Sequence, residues 1–210
     1  TPAAFLAGEF IRWLGEQDAG RPWFAHVSFI RPHPPFIVPA PYNTMFDPDA
    51  VGDPIPAGDA AHPLVAFARE TTRTGSFVPA AEGLVRDLPP AALRQIRATY
   101  FGMIAEVDAH VGRLLEALRA GGAWDDTVVV FTSDHAEMLG DHGLMGKGGF
   151  YDQSQHVPLI VRVPGVPPSR VDAFTESVDL FPTLLELMGV EPTHVPDGRS
   201  LLPLMRGEAV

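Results

Sequence analysis

The sequence predicts an α/β protein with a mostly parallel central sheet flanked by helices. Two observations carry that expectation. Short runs rich in β-branched residues, Thr127–Asp134 (TVVVFTSD) and Val157–Val163 (VPLIVRV), are bounded by turn residues. Around them lie longer stretches whose apolar residues recur every three or four positions. An apolar run without alternation is what a strand buried on both faces requires, and such strands belong to parallel sheets.

Thr1 is placed to cap a helix that Pro2 starts, and Phe5, Leu6, Phe10, Trp13 and Leu14 keep helical spacing up to Gly20. The aromatic and β-branched run Trp23–Ile30, between Pro22 and Pro32, reads as a buried strand that delivers Arg31, Pro32 and His33 into a loop. From Pro34 to Pro90, strings such as PHPPF, PAPYN and GDPIPAGD concentrate prolines and glycines, so regular structure should be sparse there. A long loop of this kind is more often functional than ornamental. Leu93, Ile96, Tyr100, Ile104, Val107, Val111, Leu114 and Leu118 then alternate three and four apart and end at Gly121 and Gly122, which sets the longest helix. The last helix is Val178–Gly189, with Leu180, Phe181, Leu184, Leu185 and Met188 apolar and Pro182 in its first turn.

With 210 residues, 46 % of them hydrophobic, the chain can build a sizeable core. Glu9, Arg12 and Glu16 interrupt its first apolar stretch, and no run is long enough to span a bilayer, so no membrane partner is expected. The formal net charge of -11 argues against nucleic acid, which needs a basic face to displace counterions. Zero cysteines leave no disulfide and no thiolate metal site, which suits a reducing compartment and makes a cytoplasmic location the expectation. An anionic substrate would therefore depend on local positive charge or on a bound cation.

Such groups follow the Thr127 strand. Open α/β sheets place ligand sites at the carboxyl ends of strands, and there stand Asp134 and His135, both able to bind a divalent cation. Strand-end polar residues are also common as simple solvated turns. The next stretch, Leu139–Ser154 (LGDHGLMGKGGFYDQS), sets Lys147 among glycines that let backbone amides approach an anion closely. A loop lysine is ordinarily a surface charge, and His33 could simply pack on prolines. His33 gains interest because its own strand end could converge with that of Asp134 at one rim of the sheet.

The strings TSDHAEMLGDHGLMGKGGFYDQSQHVPLIVRVPG, WFAHVSFIRPHPPFIVPAPYN and DGRSLLPLMRGE together resemble the sulfatase family of the alkaline phosphatase superfamily, in appearance nearest to phosphonate monoester hydrolases and arylsulfatases. The resemblance implies an alkaline phosphatase-like fold and hydrolysis of a small anionic sulfate, phosphonate or phosphate ester. It implies Asp134 and His135 as ligands of a divalent metal, Lys147 on the nonbridging oxygens, and His33 beside the leaving-group oxygen. Many sulfatases carry Asn at the position of His135; an imidazole tilts the metal toward Mn²⁺ or Zn²⁺, with Ca²⁺ still allowed. Ala136 replaces the family's usual Gly, which raises the question of backbone freedom after the ligand, and His156 stands where relatives tend to have Arg.

The larger departure is an absence. The family's first-strand Asp pair and its Cys-x-Pro-x-Arg or Ser-x-Pro-x-Arg motif, whose first residue becomes formylglycine, do not occur here. Residues 1–210 are therefore expected to be a partial catalytic domain, the larger and metal-bearing portion, without the N-terminal nucleophile segment. The resemblance implies a chain that is inactive alone, binds metal weakly and self-associates through exposed sheet edges. A phosphatase or phosphomutase of the same superfamily, or a degenerate non-catalytic domain, are the alternatives.

Overall fold

Thr1 accepts the Ala4 N–H on its hydroxyl at 3.2 Å, Pro2 occupies the first turn, and helix α1 runs over Pro2–Gly15. The computed structural model describes residues 1–18, 20–58 and 62–208. Trp23–Ile30 forms no helix or paired strand, with Trp23, Ala25, Val27 and Phe29 half-buried and the alternate positions exposed. That period of two is a strand's, yet the segment pairs with no other strand among the described residues, so the expected strand lacks its ladder. Trp23 is held instead by its side chain, edge-on to Trp13 of α1 at 5.6 Å.

The Pro/Gly-rich stretch, of which residues 59–61 lie outside the described residues, holds among the described ones isolated 3₁₀ turns and a helix that composition did not announce, α2 at Pro63–Thr71. His62 caps it by accepting the Leu64 N–H at 3.3 Å, and Pro63 begins it. A proline counts as a breaker in a helix interior, but at the first position its missing N–H costs nothing.

Helix α3, Pro90–Ala120, spans 31 residues and stops where Gly122 takes φ +71 and returns its N–H to the Arg119 carbonyl. Its buried face runs through Ile96, Ala98, Gly102, Met103, Leu114 and Leu118. Ile104, expected on that face, is 43 % exposed, while Met103 is fully buried. Gly102 explains the rotation. A β-carbon there would lie 2.3 Å from the Tyr42 carbonyl oxygen, so the backbone of the Tyr42–Thr44 turn rests directly on the helix. Phe36 fills the adjoining core, stacked on Phe77 at 6.0 Å and edge-on to Tyr100 at 5.8 Å.

These elements, with the short helix α4 at Asp152–Gln155, make up one of two compact units: Thr1–Asp125 with His135–Val157. The second unit is Asp126–Asp134 with Pro158–Val210. In it β1, Val129–Thr132, pairs with β2, Leu159–Arg162, with Val129 opposite Arg162. The pairing is antiparallel, which corrects the parallel arrangement expected from the sequence. A parallel return needs a crossover of a dozen residues or more, usually a helix, and between these strands the only helical elements are a 3₁₀ turn and four-residue α4. With this single ladder among the described residues, neither strand is covered on both faces, and Phe131 and Ile160 are exposed.

Helix α5, Leu180–Met188, ends at Gly189 with φ +66, as its pattern predicts. The buried Asp179 carboxylate accepts the Glu176 N–H at 2.8 Å and the Arg199 N–H at 2.9 Å, and the Thr183 hydroxyl accepts the Leu201 N–H at 2.8 Å. Those bonds fasten the chain before α6, Leu202–Met205, to α5. No helix among the described residues is long and apolar enough to cross a membrane.

Two glycines of α3 test this packing. Gly102→Ala is expected to lose about 2 kcal/mol, because backbone pressed against a β-carbon has little room to relax. Gly112→Ala, where an added β-carbon meets nothing within 4 Å, is expected to gain about 1 kcal/mol from helix propensity. Urea unfolding of both variants checks the pair; equal midpoints would contradict the contact at Tyr42.

Candidate functional site

Strand β1 ends at Thr132, and two residues further Asp134 is exposed, its carboxylate accepting from the Ser133 hydroxyl at 3.4 Å. His135 opens the next segment of the first unit. Its Nδ1 lies 2.9 Å from the Ala136 carbonyl and its Nε2 lies 2.6 Å from Lys147 Nζ. A carbonyl only accepts, so Nδ1 carries the ring proton and Nε2 turns its lone pair to the ammonium. Metal-binding imidazoles are commonly fixed in this way, one nitrogen anchored and the other facing a cation. Here the cation is Lys147.

Lys147 reaches His135 because the glycine-rich loop between them folds back on itself. Met138 donates to the Gly146 carbonyl at 2.8 Å and Gly140 to the Leu144 carbonyl at 2.8 Å, closing the loop around the 3₁₀ turn Asp141–Gly143. Gly146 sits at φ +80, a conformation glycine adopts freely. Leu139 and His142 sit at φ 48 and 56, where a side chain costs about 1–2 kcal/mol, so their surroundings must hold them. The His142 N–H donates to the Ile55 carbonyl at 2.8 Å, its carbonyl accepts from Arg69 Nε at 2.8 Å, and its ring stacks on Tyr151 at 4.3 Å. Asp141, buried, accepts the Ile55 N–H at 2.9 Å and pairs with Arg97 of α3 at 3.1 Å. Arg97 also donates to the Leu139 carbonyl at 3.1 Å.

Glu137 lies between the two chemistry-bearing residues. Its Oε1 accepts the Leu139 N–H at 3.3 Å and makes a short bond with the Gly146 N–H. Burial pushes this carboxyl above the ordinary glutamate range, while the backbone N–H groups and His135 pull it back. Tyr100 of α3 is pushed up to about 12, first by its burial and then by the Glu137 charge.

Of the expected site residues, the structure brings His135 and Lys147 together. His33 is exposed, with Nδ1 2.8 Å from the Pro34 carbonyl, and it makes no hydrogen bond to either of them among the described residues. Arg31 holds that loop by donating to the His33 carbonyl at 3.2 Å and the Pro35 carbonyl at 2.6 Å. Ala136 is not among the positive-φ residues, so its methyl costs the backbone nothing. His156 is exposed and closes α4 through its N–H to the Asp152 carbonyl. Sequence reasoning missed Glu137 and Arg97, whose partners are backbone groups and a carboxylate 44 residues away. Asp141 did carry a signal, the Gly-Asp-His string, but its role proves to be a loop anchor.

Among the described residues no group of three or more His, Asp or Glu side chains could hold a metal. One carboxylate and one imidazole would fall short of the full coordination shell of a divalent cation.

The fold is of the alkaline phosphatase-like α/β class. The Sulfatase family model matches residues 3–190, and the chain belongs to the sulfatase family. It is 41% identical over 213 residues to the multifunctional alkaline phosphatase superfamily protein PehA of Trinickia caryophylli, covering 98% of this chain and 41% of that protein. An arylsulfatase of Clostridium perfringens is 30% identical over 97% of this chain and 42% of its own. The fold superposes on the crystal structure of the phosphonate monoester hydrolase of Agrobacterium radiobacter with a TM-score of 0.93 and 52% identity, over 100% of this chain and 43% of that one. The chain thus spans about two-fifths of these relatives, rather than the larger portion expected from the sequence.

Because Asp141 and Arg97 are 11% and 15% exposed, removing either partner leaves a charge with little solvent. Asp141→Ala is expected to cost about 3 kcal/mol in urea unfolding and Asp141→Asn less, since its oxygen still accepts from Ile55. A loss within error of zero for Asp141→Ala would remove the loop anchor from consideration.

Proposed function

We propose that this chain is part of a metal-dependent hydrolase of sulfate, phosphonate or phosphate esters, and that residues 1–210 are a partial catalytic domain whose nucleophile and first metal ligands lie outside them. The contact of Lys147 Nζ with His135 Nε2 at 2.6 Å, in a chain of the sulfatase family, supports this reading best. Lys147, carried on a loop tied by backbone bonds, presents a fixed positive charge to the nonbridging oxygens of a small anionic ester, where negative charge develops. Asp134 and His135 are the proposed ligands of a divalent cation, Mn²⁺, Zn²⁺ or Ca²⁺, whose charge when bound draws electron density from the same oxygens.

His33 sets Nδ1–H on the Pro34 carbonyl, and its proposed help to the leaving group requires a second proton on Nε2, passed to the departing oxygen as the ester bond breaks. The nucleophile is proposed to be a formylglycine in sequence beyond these residues, since neither the Cys-x-Pro-x-Arg nor the Ser-x-Pro-x-Arg motif occurs in them. The 52% identity to a phosphonate monoester hydrolase favours phosphonate or phosphodiester over sulfate. A cytoplasmic location without nucleic-acid or membrane partners accords with the cysteine-free, acidic composition, and the exposed Phe24 and Ile30 are where self-association is proposed.

Turnover of aryl sulfate, phosphodiester and phosphonate esters, measured with Mn²⁺ for this chain and for a longer polypeptide carrying its upstream sequence, tests the reading. The longer polypeptide is expected to be active and this chain inactive. In the active form Lys147→Ala should lower kcat/KM about 100-fold or more, and chelation should abolish turnover until Mn²⁺ is returned. Turnover by this chain that Asp134→Ala abolishes would place the nucleophile inside it. A longer polypeptide that carries the nucleophile motif and turns nothing over would instead describe a non-catalytic domain.

A further inference from the structure

We propose that Glu137 is the positioning residue for Lys147: its carboxylate, by accepting the N–H groups of Leu139 and Gly146, fixes both ends of the glycine-rich loop and so sets the ammonium against His135. The inference rests on the reading of Lys147 as the anion-clamping residue.

Geometry carries it. Gly146 immediately precedes Lys147, so a bond at its N–H acts one residue from the side chain to be aimed. Across the loop, the Met138 N–H meets the Gly146 carbonyl at 2.8 Å, and the backbone of Gly146 is therefore gripped on both sides of its α-carbon, at its N–H and at its carbonyl. Leu139, at the other end, is held left-handed at φ 48 with its N–H on the same Oε1 atom. The loop's far side is fastened independently by Asp141 on Arg97 and by the His142 carbonyl on Arg69. Of these three side-chain anchors, Glu137 is the one at the Lys147 end, beside the backbone bond from Met138. Its Oε1 acts purely as an acceptor toward N–H groups, which is why a neutral amide oxygen can replace it and a methyl group cannot.

The variants Glu137→Gln, Glu137→Ala and Lys147→Met in this chain, with ¹⁵N resonances of the His135 ring recorded for each, test the role. Loss of the ammonium in Lys147→Met should shift His135 Nε2. Glu137→Ala should give the same shift although it leaves both residues in place, and Glu137→Gln should keep the wild-type resonance. A folded Glu137→Ala with a wild-type Nε2 resonance overturns the proposal, as does a Lys147→Met that leaves Nε2 unmoved. If Glu137→Ala does not fold, amide exchange in the wild-type chain decides: the Gly146 N–H should exchange at least about tenfold more slowly than that of Gly148, the factor of a single hydrogen bond. Equal rates refute the anchor. These readouts need no turnover, so failure of the anchor and failure of the proposed activity are separate results.

Discussion

A single carboxylate oxygen organises the first unit. Asp141 Oδ1 takes the Ile55 N–H at 2.9 Å and the Arg97 guanidinium at 3.1 Å, so the Pro-rich stretch, the long helix and the glycine-rich loop all meet there. Two of these segments are poorly determined by themselves: the first is short of regular structure, and the loop holds several residues at positive φ. A charge with so little solvent around it demands its partners, and that demand fastens two loosely specified pieces to the long helix. The placement of Lys147 depends on it, because the loop can be aimed only if its base does not move.

The helices were legible because their information is local. Thr1 and Pro2, the spacing from Leu93 to Leu118, and Gly122 and Gly189 at their ends each act within a few residues, and the structure shows them in those roles. Strand direction was not legible. The residues of β1 and β2 look alike whether they run together or oppositely, and what decides between these is the length and content of the connection. Trp23–Ile30 shows the same limit from another side: its sequence specifies an extended backbone with period two, but a ladder depends on a second strand.

The candidate site divides along the same line. Asp134, His135 and Lys147 could be picked out because carboxylate, imidazole and ammonium stand near one another in sequence beside glycines. Glu137 stands among them but was given no role, since a glutamate on a short polar turn carries no mark of the backbone it will bind. Arg97 lies on another element altogether, inside a helical pattern where its neighbours Ile96 and Ala98 supply the visible signal. Interactions between side chain and distant backbone leave little trace in a single sequence.

The way Glu137 holds its loop also bears on how the loop can change over generations. Its carboxylate engages main-chain N–H groups, which every residue but proline supplies. Side chains at positions such as Leu144, Met145 or Phe150 can therefore drift without disturbing that grip, provided the core volume around the buried ones is kept. Phe150 is already 98% exposed and unconstrained by packing. A lysine held by a grip on main-chain groups can keep its place while the surface around it is remodelled, a form of evolvability written into the backbone.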